Sequence, residues 1–402
     1  MKIVHIGTGV VPVLPFGSRG PEKTIYYSTK HLARLGYDVD IIDMKQGAHD
    51  RGETEARFHE ISLPSIFNSS LFSYLKIMIF SLISTFMLSR LIKNGRVDIV
   101  HAHSQFPAAA ILIARWIFHW HIPLIYTAHN PYLVMPCGMT DKLKHTILEC
   151  MVMRCVDCVV SQTLSVGEEL QRKYGIDPAQ VLQVSAGIDI EAISAFPGKS
   201  TRRTGNPLIL YVAIINLRKN QMSLVQSIPQ VLEKFPDAEF IFPGAVDDPA
   251  YFEKIKQFID EHSLSENVVF TGDLSTQELY RVYRDATMFV FPTRYETQGV
   301  VLLEAMAFGL PVIASDIGPI RDIVEMEHHS ALLIDPENTK NIGASIIRVL
   351  EDEALRTEMS SKGMKLTHNT FSWDHAARRM ASAYHKFVRV EQLNTSEVTN
   401  NG

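Results

Sequence analysis

Two carboxylates, Glu296 and Glu304, stand seven residues apart in the stretch Phe291 to Ser315, FPTRYETQGVVLLEAMAFGLPVIAS. Acids of this kind hold sugar or ribose hydroxyls through charge-assisted hydrogen bonds. Between them, Thr297, Gln298, Gly299 and Val300 fall where a helix begins. Free backbone N–H groups and the positive end of the dipole favour an anion there, such as a phosphate. A pyrophosphate facing the helix, flanked by two acids on hydroxyls, describes a sugar-nucleotide site. On spacing alone a plainer arrangement carries more weight, with Glu296 solvated in a loop and Glu304 exposed on a helix.

The surrounding residues define the elements that hold these groups. Thr287 to Phe291 is an apolar run of strand length, broken by Pro292, Thr293 and Arg294. Gly299 lets the backbone turn into a helix with apolar Val300, Leu303 and Met306. Gly309 suits a left-handed cap, and Pro311 prevents continuation, so Pro311 to Ser315 reads as a second buried strand.

Histidines form a second candidate group. His101 and His103 close the apolar run from Val97, and His129 follows the run Leu124 to Thr127. Active-site groups of open α/β sheets collect just past strand ends. A single such histidine is more often structural; three in two neighbouring segments favour function. No nearby carboxylate completes a metal set, so no metal is expected. Cys155 and Cys158 have C-x-x-C spacing, with Cys137 and Cys150 the remaining cysteines. No second ligand pair accompanies them, so buried, reduced thiols are expected.

Strand runs alternate with helical runs along the whole chain, the mark of parallel α/β sheets covered on both faces. Residues 1–192 form one expected domain, beginning strand, Gly/Pro-rich loop (Gly7 to Gly20), helix, strand. Residues 193–206 are a polar linker, 207–370 a second domain, 371–390 a last helix and 391–402 a disordered tail. The expected architecture is two Rossmann-like domains facing a cleft. The 402 residues, 46% of them apolar, are enough for two cores.

Several segments resemble glycosyltransferase family 4, retaining enzymes of the GT-B fold. The likeness rests on ETQGVVLLEAMAFGLPVIAS with Asp316-Ile317-Gly318, on Asp-Ile-Val-His-Ala-His-Ser and Tyr-Thr-Ala-His-Asn, and on Ala186-Gly187-Ile188-Asp189, where the family has Asn-Gly-Ile-Asp. It covers nearly the whole chain. It implies that Glu296 contacts the donor sugar, Glu304 the ribose, and the N–H groups of Gln298, Gly299 and Val300 the pyrophosphate. His129 would lie beside the reaction centre, and His103 and Arg19 on the acceptor side. Lys219 matches the family's phosphate lysine, with Arg218 beside it. Gly244, Gly272 and Leu274 would line the nucleotide, the base near Gly272 to Leu274. In the first loop the family carries Gly-Gly-x-Glu; here Arg19-Gly20-Pro21-Glu22 stands there, so Gly20 and Glu22 match and Arg19 does not. The family's arginine five or six residues before the lysine is replaced by Ile214 or Ala213. Arg218 and Lys219, read as neighbours on an extended loop, are expected to point apart.

The likeness implies transfer of a sugar from a nucleoside diphosphate, uridine favoured, to a glycan or lipid-linked acceptor, without cofactor or metal. A sugar-nucleotide epimerase and a catalytically inactive sugar-nucleotide binder are the alternatives. Net charge is −5 and no basic block occurs, which argues against nucleic acid. No signal peptide precedes the first strand, so a cytoplasmic protein is expected. Residues 64–93 are apolar nearly all round, and residues 61–120 carry five basic groups against one acidic. A core helix with snorkelling basic ends is the favoured expectation, ahead of contact with an anionic membrane at the inner face of the cell membrane.

Overall fold

Short apolar runs bounded by glycine, proline and polar residues become buried parallel strands. The computed structural model describes residues 1–15, 20–45, 53–64, 73–95, 97–129, 131–134, 139–197 and 205–399. Contacts divide the chain into two units, Met1–Gly187 with Trp373–Gly402, and Ile188–Ser372.

The first unit runs β1 (Lys2–Ile6), α1 (Gly20–Arg34), β2 (Asp38–Met44), β3 (Arg57–Ile61), α2 (Ser73–Asn94), β4 (Ile99–Ala102), α3 (Gln105–Phe118), β5 (Leu124–Thr127), α4 (Met139–Cys155), β6 (Cys158–Ser161), α5 (Leu164–Tyr174) and β7 (Val181–Gln183). Its parallel sheet has the order β3-β2-β1-β4-β5-β6-β7. Strand order reverses between β1 and β4, and ligands of such sheets bind outside the carboxyl ends at that reversal.

The second unit contains α6 (Ile190–Ala195), β8 (Leu208–Leu210), α7 (Gln221–Leu232), β9 (Glu239–Pro243), α8 (Pro249–Glu261), β10 (Val268–Gly272), α9 (Thr276–Asp285), β11 (Met288–Phe291), α10 (Val300–Ala307), β12 (Val312–Ser315), α11 (Gly318–Val324), β13 (Leu332–Ile334), α12 (Thr339–Glu351) and α13 (Glu353–Thr370). Its sheet, β10-β9-β8-β11-β12-β13, is also parallel and reverses between β8 and β11. The core holds Phe240, Phe242, Phe289 and Phe291 with Leu302, Leu303 and Met306 of α10. The chain then rejoins the first unit as α14 (Trp373–Thr399), whose Ala377, Met380, Ala381 and Tyr384 pack with Ile3, Leu32 and Ile99.

Several elements differ from the sequence expectation. β3 has no strong apolar signal because Arg57, His59 and Glu60 make it a polar edge strand. At the expected linker, Ile193 and Phe196 pack into the second core, while residues 198–204 lie outside the described residues. The last helix continues to Thr399, through most of the expected tail; no proline or glycine interrupts the sequence before Gly402. Residues 400–402 lie outside the described residues.

The apolar stretch 64–93 is not the core helix expected of it. Residues 65–72 and Arg96 nearby are outside the described residues. Over α2, Phe80, Ser81, Ser84 and Leu88 are buried, but Leu75, Met78, Leu82 and Phe86 are exposed. The helix has the length and apolarity of a membrane span, and only 22% of its most apolar 18 residues is buried.

Candidate functional site

In the second unit, the expected site residues gather at the carboxyl edge of the sheet. Lys219 follows β8, Gly244 follows β9, Gly272 ends β10 and Glu296 follows β11. The strands are parallel, so these ends share one edge, and Lys219 and Glu296 flank the reversal between β8 and β11.

Lys219 Nζ and Glu296 Oε1 form an ion pair. Thr293 Oγ1 also donates to Glu296 Oε1 at 3.3 Å, and the ammonium lies 5.6 Å from the Phe291 ring centroid. Burial pushes the Lys219 pKa down while Glu296 opposes the shift. The lysine loop is a turn, not the extended segment expected: Lys219 N donates to Asn216 O and to Asn216 Oδ1. Tyr211 donates its hydroxyl to Lys219 O. Arg294 braces the same turn, donating Nη1 to Leu217 O at 2.7 Å and its backbone N to Arg218 O at 2.9 Å. A bidentate pair with Glu337 fixes the Arg294 guanidinium, at 2.5 and 2.9 Å. Asn220, at positive φ, donates to Pro292 O and Pro336 O, tying the turn to the loop after β11. Among the described residues no carboxylate pairs with Arg218.

Glu304 lies on α10 and accepts from Tyr283 Oη at 3.1 Å; Glu296 and Glu304 thus occupy separate surroundings. Gly299 takes φ +86°, a conformation that only glycine adopts freely, and starts α10. Gln298, the residue before it, is buried, and Val300 is half-buried as the first helical residue. Gly244 donates its N–H to Gly272 O at 2.9 Å. A Cβ on Gly244 would lie 2.0 Å from Ala213 O, so the backbone before Ile214 approaches too closely for any side chain at Gly244. Leu274 lies half-buried just past β10.

In the first unit, His129 and His103 come together: His103 Nδ1 and His129 Nε2 are 3.1 Å apart. A partner that sequence reading missed, His5 of β1, continues the line, with Nδ1 3.0 Å from His103 Nε2. His101 lies between Tyr384 Oη at 2.6 Å and Thr127 Oγ1 at 2.7 Å. Tyr384 Oη also lies 3.4 Å from His5 Nε2. Burial lowers the pKa of every ring, His5 to about 3 and His129 to about 4, so all four are neutral imidazoles at pH 7. One nitrogen from each of His5, His101 and His103 lies within 4.8 Å of the other two, a spacing open to a metal ion. Each ring nitrogen of these three histidines already has a hydrogen-bond partner. His5 was missed because a histidine inside an apolar strand reads as core.

Elsewhere in this unit, Gly20 begins α1, and Glu22 is buried and accepts from Thr8 Oγ1 at 2.6 Å. Arg19, Asn130 and Cys137 lie outside the described residues. Of the other cysteines, Cys158 is buried, with burial pushing its thiol up to about 12, Cys150 is half-buried and Cys155 is exposed. Expectation of uniformly buried cysteines therefore fails at Cys155, the last residue of α4.

Comparison with known proteins follows the same division. Residues 18–192 match a model described as Glycosyltransferase Family 4, and residues 193–366 one described as Glycosyl transferases group 1. The D-inositol 3-phosphate glycosyltransferase of Xylanimonas cellulosilytica is 26% identical over 307 residues, 72% of each chain. Sulfoquinovosyl transferase of Arabidopsis thaliana is 24% identical over 370 residues, 87% of this chain and 67% of that protein. Sucrose-phosphate synthase from Thermosynechococcus elongatus superposes with a TM-score of 0.77 at 20% identity, covering 97% of this chain and 100% of the other. Anabaena HepE, crystallised with UDP and glucose, superposes with a TM-score of 0.73 at 17% identity, covering 96% of this chain and 100% of the other.

Proposed function

Because the chain belongs to the family 4, group 1 glycosyltransferases and has their GT-B fold, we propose that it moves a sugar from a nucleoside diphosphate, uridine favoured, to an acceptor hydroxyl with retention at the anomeric carbon. One observation carries this reading. The Lys219–Glu296 ion pair stands at the strand-order reversal of the second sheet, in the loop that leads into the start of α10.

The residues divide the work by charge. Glu304 takes the ribose hydroxyls, and the N–H groups of Gln298, Gly299 and Val300 take the diphosphate. Lys219 leaves Glu296 for the phosphate, and Glu296 turns to the sugar hydroxyls. In the step itself the bond between the anomeric carbon and the phosphate oxygen breaks as the acceptor oxygen bonds to that carbon. The acceptor proton passes to the leaving phosphate. Lys219, Arg218 and the helix end supply the positive charge that stabilises the departing diphosphate, so the reading requires no metal. His129 orients the donor sugar.

The acceptor we favour is lipid-linked, met at the cytoplasmic face of a membrane. Support comes from the exposed apolar faces of α2 and α3, which pack on each other.

The test incubates the full chain with nucleoside-diphosphate sugars, with and without lipid and glycan acceptors, and measures free nucleoside diphosphate. Release that depends on an acceptor is expected, with an α-linked product from an α-linked donor. Glu304→Ala should weaken nucleotide binding by about 1.5–3 kcal/mol, as for a hydrogen bond to a charged group. Glu296→Ala should mainly reduce turnover. Tight nucleotide binding without turnover on any pair would favour an inactive binder instead.

A further inference from the structure

The histidine line in the first unit has a direction. Each ring is neutral, so each carries one N–H and one lone pair. A contact between two ring nitrogens needs one of each. Fixing the proton at one end of His5, His103 and His129 therefore fixes it at every ring.

Tyr384 Oη stands at that end with a single proton and two ring neighbours, His101 Nδ1 at 2.6 Å and His5 Nε2 at 3.4 Å. A hydroxyl donor bonds at about 2.5–3.0 Å. The phenol therefore donates to His101, and His101 Nε2–H donates to Thr127 Oγ1 at 2.7 Å. The phenol oxygen then receives the weaker bond from His5 Nε2–H. His5 Nδ1 must accept from His103 Nε2–H at 3.0 Å, and His103 Nδ1 from His129 Nε2–H at 3.1 Å. Nδ1 of His129 is left as a lone pair, with no partner among the described residues.

We propose that Tyr384, from the last helix, sets the tautomer of His129 through His5 and His103, so that His129 presents a hydrogen-bond acceptor to its ligand. Tyr384, His5 and His103 are positioning residues. The consequence for specificity rests on the reading that His129 meets the donor sugar: the sugar must offer a hydroxyl proton there. A site built to pair with a hydroxyl discriminates strongly against an analogue that lacks one.

The test is nuclear magnetic resonance of the full chain labelled with 15N-histidine, in which long-range 1H–15N correlations report the tautomer of each ring. His129 signals are assigned by their loss in His129→Gln. In the wild type, His129 should be protonated at Nε2. Tyr384→Phe keeps the packing but removes the proton that sets the direction, and the His129 signals should move towards a mixture of tautomers. Thr127→Val, nearly isosteric, removes the acceptor of His101 Nε2–H. His101 should then protonate at Nδ1, the phenol should turn to His5, and His129 should become mainly Nδ1–H. This second variant decides the matter even if the first does not fold. Protonation at Nδ1 in the wild type, or an unchanged His129 in a folded variant, would overturn the proposal. So would ring signals that shift with added Zn2+ and return with a chelator, since His5, His101 and His103 would then form a metal site. Turnover is read separately, so failure of the transferase reading leaves the tautomer result standing.

Discussion

Lys219 and Arg218 are neighbours in one turn, yet their charges are differently engaged. Lys219 is buried and paired with Glu296, whereas no carboxylate pairs with Arg218 among the described residues. With Ile214 and Ala213 where the family has an arginine, Arg218, next to Lys219 in the sequence, is the replacement tested for the missing phosphate cation. Lys219→Ala should cut kcat by about 10²–10³-fold, the loss of a main partner of transition-state charge, and it leaves Glu296 unpaired. Arg218→Ala should cost about tenfold, mostly in donor KM, because a half-exposed cation contributes less. Steady-state kinetics of both variants with one donor checks this; equal losses in kcat would mean that the two residues hold the phosphate together. Strand-end and helix-start signals gave the elements around Glu296 and Glu304, but only the resemblance to the family singled out Glu296, Glu304 and Lys219 themselves. The sequence did not reveal the brace of Arg294 on Glu337 and Leu217, because those partners are far apart along the chain and only the folded loops bring them together.

At the scale of elements, strands and the helix after Gly299 could be read from apolar runs and glycine or proline breaks, because both domains are built from buried parallel strands. β3 could not, because an edge strand with one polar face lacks that signal. α2 was legible as a helix but not in its exposure. Periodicity says which residues share a face, not which neighbours cover it. Its Leu75, Met78, Leu82 and Phe86 recur at helical spacing and stay exposed, as do Ile113, Trp116 and Ile117 of α3 and Ile147 of α4. Since α3 packs on both α2 and α4, these residues belong to neighbouring helices. Arg90 and Lys93 sit exposed near the end of α2, suited to anionic headgroups. Two carboxylates at Leu82→Asp and Phe86→Asp should therefore weaken binding to anionic vesicles by at least about tenfold, given roughly 1.5–3 kcal/mol for each large apolar side chain buried. Sedimentation with phosphatidylglycerol vesicles at low and high salt measures it. Wild-type protein that stays in the supernatant at every salt concentration would remove the membrane reading.

Across the whole molecule, the four neutral histidines make the first unit sensitive to acid. Each has a folded pKa below its unfolded value of 6.5, about 3 for His5 and about 4 for His129. Below pH 6.5 the unfolded chain takes up protons that the folded unit refuses, so stability is lost as pH falls from 6.5 towards 4. Glu149 acts in the opposite sense. It is buried, accepts hydrogen bonds from Tyr174 Oη and Tyr132 N, and burial raises its pKa from 4.5 to about 7. Its contribution is complete below pH 4.5 and is lost as pH rises through 7. Between pH 4.5 and 6.5 the two effects overlap, and the histidines prevail by number. All three tryptophans, Trp116, Trp120 and Trp373, lie in the first unit, and Trp373 is buried and stacked on Tyr27 at 5.4 Å, so tryptophan fluorescence reports this unit alone. Urea unfolding followed by fluorescence should show stability falling from pH 6.5 to 4.5. Glu149→Gln keeps an acceptor oxygen but cannot titrate, so it removes the opposing effect. The fall should become steeper by up to about 1.4 kcal/mol per pH unit, the free energy of one proton. A shallower fall in Glu149→Gln would show that Glu149 is ionised in the folded unit, and a flat wild-type profile would show that the histidine cluster accepts protons without unfolding.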